Sequence, residues 1–189
     1  MSVDIKDKVV IVTGAGRGIG KAIALSFAKE QPRLVLASRT NSELEKVAHE
    51  VMANGAETLV VPTDVTEEDQ VKNLVETAHR IFGRIDILVN NAGIGIDAKV
   101  ADMKTEDFES MFDVNVKGVF FCTRAVLPYM IKQRDGVIVN IASLAGRNAI
   151  SGGAAYCATK WALIGFARSL MLEVREYNIR VITICPGSV

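Results

Sequence analysis

Six short apolar runs recur along this chain, and nothing else in it constrains the fold as tightly. They are KVVIVTG (8–14), RLVLAS (33–38), ETLVVPT (57–63), DILVNNAG (86–93), GVIVNIAS (136–143) and IRVITICPG (179–187). None alternates apolar with polar residues. Near-continuous apolar runs rich in Val and Ile are what strands buried on both faces of a parallel sheet require. Longer helix-like stretches separate them. IGKAIALSFAKE follows the first run, and NSELEKVAHEVMANG opens at a cap on Asn41 or Ser42 and closes at Gly55. TEEDQVKNLVETAHRIFG places Thr66 three residues before Asp69, close to a capping box, and stops at Gly83. Two longer segments, 105–132 and 151–176, complete the set. Strict alternation of six strands and five helices predicts an α/β fold. It is a Rossmann-type, doubly wound parallel sheet with helices on both faces, spanning residues 1–189 as one domain.

The first strand hands over to its helix through TGAGRGIG (13–20), with four glycines in eight residues. At such a junction the chain must turn sharply. The backbone must also approach a pyrophosphate closely, while the helix start points free N–H groups at negative charge. The spacing is not G-x-G-x-x-G: from Gly14 the third glycine would fall on Ile19, and Gly18 and Gly20 flank it. It is T-G-x-x-x-G-x-G instead. Further stretches follow in order: Asp64–Val65 after the third strand, and N-N-A-G (Asn90, Asn91, Ala92, Gly93) ending the fourth. Asn115 lies in an apolar helix, Ser143 ends the fifth strand, Tyr156 and Lys160 form Y-x-x-x-K, and Pro186–Gly187 follow the sixth strand.

Taken together, these stretches resemble the short-chain dehydrogenase/reductase family, in particular members like the 3-oxoacyl-(acyl-carrier-protein) reductases. The resemblance covers essentially the whole chain. It implies a cofactor site at Gly14, Arg17, Gly18, Ile19, Gly20, Ser38, Arg39, Asp64, Val65, Asn91, Ala92, Gly93, Tyr156, Lys160, Pro186 and Gly187, with Asp64 at the adenine. It implies a catalytic set of Asn115, Ser143, Tyr156 and Lys160. In that set Lys160 also holds the nicotinamide ribose and Asn115 supports a water that passes protons. It also implies that the protein is a homodimer or homotetramer through helices 105–132 and 151–176. Family members continue past the PGSV end of this chain with a substrate loop and a further strand, so the sixth strand is expected to be a sheet edge.

The chemistry can be argued from the residues as well. Tyr156 and Lys160 are i and i+4, so a helix sets them on one face. An ammonium beside a phenol favours the phenolate, which makes the phenol an acid–base group near neutral pH. In carbonyl reduction it gives a proton to the oxygen as hydride reaches carbon, and in alcohol oxidation it takes that proton back. Ser143, at the carboxyl end of a strand, can hold the same oxygen. Asn115 is polar within MFDVNVKGVFF and must find partners.

An acid at the end of the second strand bonds the ribose 2′-hydroxyl in many dinucleotide folds. Here Ser38 stands in its place and Arg39 follows, with Arg17 as a second cation able to grip a 2′-phosphate. NADP(H) is therefore favoured, with NAD(H) as the second option. The substrate expected is a small carbonyl or secondary alcohol. The alternative is a non-catalytic dinucleotide-binding sensor or assembly subunit.

Composition narrows the rest. Lys plus Arg and Asp plus Glu are 22 each, and aromatics are 6 %, so no nucleic-acid partner is expected. No apolar run approaches the ~20 residues of a bilayer span, and the start does not read as a secretion signal. Cys122, Cys157 and Cys185 are odd in number and widely spaced, as in reduced thiols of a cytoplasmic protein. His49 and His79 have no metal-ligand spacing, and no metal is expected.

Overall fold

The structure, a computed structural model, describes residues 5–187. Its strands are β1 (Val9–Thr13), β2 (Arg33–Ala37), β3 (Glu57–Val60), β4 (Ile87–Asn90), β5 (Gly136–Ile141) and β6 (Ile179–Ile184). Its α-helices are α1 (Gly18–Ala28), α2 (Asn41–Ala53), α3 (Glu68–Phe82), α4 (Thr105–Phe112), α5 (Gly118–Gln133) and α6 (Ala154–Val174). The sheet order is β3-β2-β1-β4-β5-β6, and every pairing is parallel.

The apolar runs are continuous because both faces of the sheet are covered. Successive strand side chains point to opposite faces. Val9 and Ile11 pack in one core with Val71, Leu74 and Ala78 of α3, Val126 and Met130 of α5, and Leu170 of α6. Val10 and Val12 pack in the other with Ala24 and Ala28 of α1 and Leu44, Val47 and Val51 of α2. Each large side chain so buried contributes roughly 1.5–3 kcal/mol over leaving it in water. Exposure returns at the flanks. Among the described residues β6 pairs on one side only, and Ile182 and Ile184 alternate outward at 45 % and 47 % exposure.

Local boundaries depart from expectation in four places. Neither Asn41 nor Ser42 caps α2; Thr40 holds the N-cap position and makes no side-chain cap bond. Thr66 does not cap α3. Its N–H and hydroxyl both donate to Asp64 Oδ1, at 3.0 and 2.8 Å, which closes a turn before the helix begins at Glu68. Segment 105–132 is not one regular helix, because a π-turn at Asp113–Lys117 separates α4 from α5 and carries Asn115. The last helix starts at Ala154 rather than 151, after Gly152 with φ +77°. Gly83 behaves as read, left-handed at φ +74° with its N–H donating to His79 O at 2.7 Å. No helix among the described residues is long and apolar enough to cross a membrane.

Candidate active site

The strand order reverses between β1 and β4, and a cleft of about 320 Å³ opens where the strands of that region end. Its floor is held by hydrogen bonds across this seam. Thr13 Oγ1 donates to Val89 O (3.2 Å) and accepts from the N–H groups of Asn91 (3.0 Å) and Ala92 (3.1 Å). Asn91 Nδ2 returns bonds to Thr13 O (2.9 Å) and Gly14 O (3.2 Å). The loop after β1 and the loop after β4 are thus one piece.

The glycines have different duties here. Gly14 has φ +63°, and a Cβ on it would lie 2.9 Å from Ala92 Cα. A Cβ on Gly20 would run into the Gly14 carbonyl, so Gly20 serves packing of the loop on α1 rather than the cleft wall. Gly14, Arg17, Gly18 and Ile19 line the cleft from the first loop, and Ser38 and Arg39 from the end of β2. Asp64 and Val65 line it beyond β3, and Asn91, Ala92 and Gly93 beyond β4. Gly16, Thr40, Glu43, Thr63, Ile94 and Val114 also line it and were not read from sequence.

A dinucleotide fits this cradle. The start of α1 has no side-chain cap and no acid in its first turn, so its amides are free for an anion. The Ser38 hydroxyl is buried with no hydrogen-bond partner, and Asp64 keeps only Oδ1 engaged by Thr66.

The residues read as catalytic lie beyond the rim at Gly93. Asn115 is 1 % exposed. Its Oδ1 accepts from Ile94 N (2.8 Å), and its Nδ2 donates to Ile94 O (2.8 Å) and Thr159 Oγ1 (3.0 Å). That commits both amide protons to protein partners. Thr159, absent from the sequence reading, donates in turn to Tyr156 O at 2.7 Å. Lys160 is 5 % exposed, and its Nζ donates to Ile141 O (3.0 Å) and stands 5.6 Å from the centroid of the Tyr156 ring. Burial pulls its ammonium down to about 8. A Cβ on Gly93 would lie 3.2 Å from Asn115 Oδ1 and 3.6 Å from Lys160 Nζ, and one on Gly95 would lie 3.4 Å from the Tyr156 ring. The loop after β4 therefore touches Asn115, Tyr156 and Lys160 in turn.

Ser143 caps a short 3₁₀ turn (Leu144–Gly146), its Oγ accepting from Ala145 N at 3.1 Å. Its own proton stays available to a substrate oxygen. Gly146 presses that turn onto α6, where a Cβ would come within 2.9 Å of Lys160 O. Pro186 and Gly187 lie beside this turn rather than in the cleft wall: Leu144 N donates to Pro186 O at 2.9 Å, and a Cβ on Gly187 would lie 3.5 Å from Leu144 Cδ1. All three cysteines are free. Cys122 and Cys157 are buried and Cys185 half-buried, and burial pushes the Cys122 thiol up to about 12.

The chain matches a family profile and many known proteins. The profile of the short chain dehydrogenases matches residues 8–189. An uncharacterized oxidoreductase of Listeria monocytogenes is 42 % identical over 187 residues, which cover 98 % of this chain and 75 % of that protein. An uncharacterized oxidoreductase of Staphylococcus aureus is 38 % identical over 185 residues, covering 98 % and 79 %. Among solved structures, NAD⁺-bound xylitol dehydrogenase superposes with a TM-score of 0.95 at 40 % identity, covering 98 % of this chain and 72 % of that one. A metagenomic short-chain oxidoreductase in complex with NADP gives 0.93 at 37 % identity, covering 98 % and 85 %.

Proposed function

The chain belongs to the short-chain dehydrogenase family and is a nicotinamide-dinucleotide-dependent oxidoreductase, and from that premise we propose that it interconverts a carbonyl and a secondary alcohol with Tyr156 as the acid–base group. The observation that carries this reading is Lys160: a buried ammonium one helical turn from Tyr156, reaching the loop that closes the cofactor cleft. When bound, the dinucleotide supplies or accepts the hydride at the substrate carbon.

This chain's residues do the rest. The first glycine loop and the start of α1 hold the pyrophosphate, and Asp64 and Val65 border the adenine. In reduction the Tyr156 hydroxyl gives its proton to the carbonyl oxygen, and the phenolate left behind is stabilised by the Lys160 ammonium until solvent returns a proton. The Ser143 hydroxyl donates to the same oxygen and fixes its position. Asn115 acts on the site through Ile94 and Thr159. Both of its side-chain amide protons are engaged by protein groups, so its side chain has no proton left to give a water.

NADP(H) is the preferred cofactor in this reading and NAD(H) the second. Neutral Ser38 and exposed Arg39 follow β2 in the cleft, and Arg17 projects from the first loop. The reading extends to residence in the cytoplasm and to self-association through α4–α6. The non-catalytic alternative gains nothing from a site in which Asn115, Tyr156 and Lys160 converge.

Replacing Tyr156 by Phe tests the assignment. Turnover of carbonyl substrates should fall by about 10³-fold, while dinucleotide affinity, measured by nucleotide fluorescence, stays within about twofold, since only a hydroxyl is lost. Retained turnover in Tyr156→Phe would remove Tyr156 from the chemistry.

A further inference from the structure

One carboxylate enters the cleft from a direction the motifs do not foretell. Glu43 is in the first turn of α2, and its side chain is 36 % exposed. It presses on the glycine loop: a Cβ on Gly16 would lie 3.0 Å from Glu43 Oε2 and 3.1 Å from Ser38 Oγ. Its Oε1 stands 3.9 Å from Nη1 of Arg17, whose side chain is 82 % exposed. Arg39 lines the same end of the cleft. The Ser38 hydroxyl there is buried and unpartnered.

That end, beyond β2, is where a doubly wound sheet receives the adenosine ribose. It therefore carries two cations, one hydroxyl awaiting a partner, and one anion. The strand end lacks an acid, and the following helix brings one in. A phosphomonoester carries nearly two negative charges, so a carboxylate within a few ångströms opposes it while the arginines attract it. A free 2′-hydroxyl meets the reverse preference, since it can donate to the carboxylate.

We propose that Glu43 is a specificity-determining residue that works against Arg17 and Arg39, holding Arg17 away from a 2′-phosphate and favouring a 2′-hydroxyl. The proposal rests on reading the cleft as the dinucleotide site. It does not require that NADP(H) be the cofactor preferred by the native protein.

Dissociation constants of NADPH and NADH, taken separately by nucleotide fluorescence, test it in the native protein, Glu43→Gln, Arg17→Gln and the double variant. Glu43→Gln keeps the size of a part-exposed side chain. It should raise the preference for NADPH over NADH by about fivefold, the scale of an exposed charge pair. The gain should shrink in the Arg17→Gln background and at about 0.5 M salt. An unchanged ratio, or weaker NADPH binding, overturns the proposal. Should Glu43→Gln melt early, Glu43→Ala removes the same charge from a part-exposed position and must raise the NADPH preference likewise; an unchanged ratio there also overturns it. Arg39→Gln separates the two claims. If the native protein prefers NADH and Arg39→Gln leaves NADPH binding unchanged, the NADP assignment falls, and a shift in Glu43→Gln still upholds the role of Glu43. Binding of neither nucleotide ends both.

Discussion

Lys160 is the cation that folding treats worst. It is 5 % exposed, and an ordinary lysine value of 10.5 is drawn down to about 8 by the loss of water. At pH 7 the native state therefore holds an ammonium that the unfolded chain would solvate freely, at a cost of up to about 3 kcal/mol. Because the native value is the lowered one, the cost is fully present below pH 8 and fades as pH rises toward 10.5, where the unfolded lysine also loses its proton. Lys160→Met should abolish turnover yet stabilise the fold near pH 7, less what is lost when Ile141 O loses its donor. Urea unfolding from pH 7 to 10.5 checks this: the advantage of the variant must decline across that range, and a constant advantage would mean that the buried charge is not its source. The i, i+4 pairing of Tyr156 with Lys160 was legible in the sequence, because helical spacing alone sets it. Its burial was not, since a lone lysine reads as a solvated charge until it is known that α6 packs on β6 and the turn after β5, which brings Lys160 Nζ to Ile141 O. Glu43 was missed for a similar reason: one acid in the first turn of an amphipathic helix looks like a favourable end charge.

At the level of elements, the site depends on how α6 is joined to the α4–π–α5 segment. Thr159 makes that joint, accepting from Asn115 Nδ2 and donating to Tyr156 O, and it is fully buried. Thr159→Val keeps the shape and removes the hydroxyl. It should cost about 1–3 kcal/mol by leaving buried polar groups unpaired, and lower kcat about tenfold as Tyr156 and Asn115 lose their tie. KM should change little, because the cofactor cleft is untouched, and Thr159→Ser should restore both. A loss of stability with unchanged kcat would reduce Thr159 to a packing residue. The sequence singled out Asn115 as a buried polar side chain in need of partners, but not which ones. The reason is the π-turn at Asp113–Lys117: an extra residue in the helical ladder re-aims Asn115, and a 3.6-residue periodicity does not register it. The helix starts were blurred likewise, because Thr66 spends its hydroxyl on Asp64 and Thr40 makes no side-chain cap bond. Strands were placed within a few residues, since burial on both faces writes itself into composition.

At the scale of the whole molecule, α5 and α6 keep large apolar side chains in water: Phe120 at 41 %, Trp161 at 55 %, Met171 at 43 % and Leu172 at 58 % exposure. Surplus apolar surface of this kind is the usual mark of a subunit contact. Sedimentation velocity should show a dimer or tetramer, and Trp161→Glu should shift it toward smaller species; a monomer at all concentrations would refute the assignment of these helices. The parallel, doubly wound character of the sheet was legible in the alternation of runs, since right-handed crossovers leave few topologies. The order of its strands was not, because alternation does not say on which side of β1 each later strand pairs. The seam between β1 and β4 has a further consequence, in the timing of folding. It joins residues 77 apart in sequence at Val9 and Asp86, against neighbours on either side that are much closer along the chain. Closing so long a loop is the entropically dearest pairing in the sheet. The Thr13 latch that floors the cleft exists only once that loop is closed. If the cleft holds the dinucleotide as proposed, a nascent molecule with β1, β2 and β3 already assembled has no seat for it, and bound nucleotide would stabilise only chains in which the seam has closed.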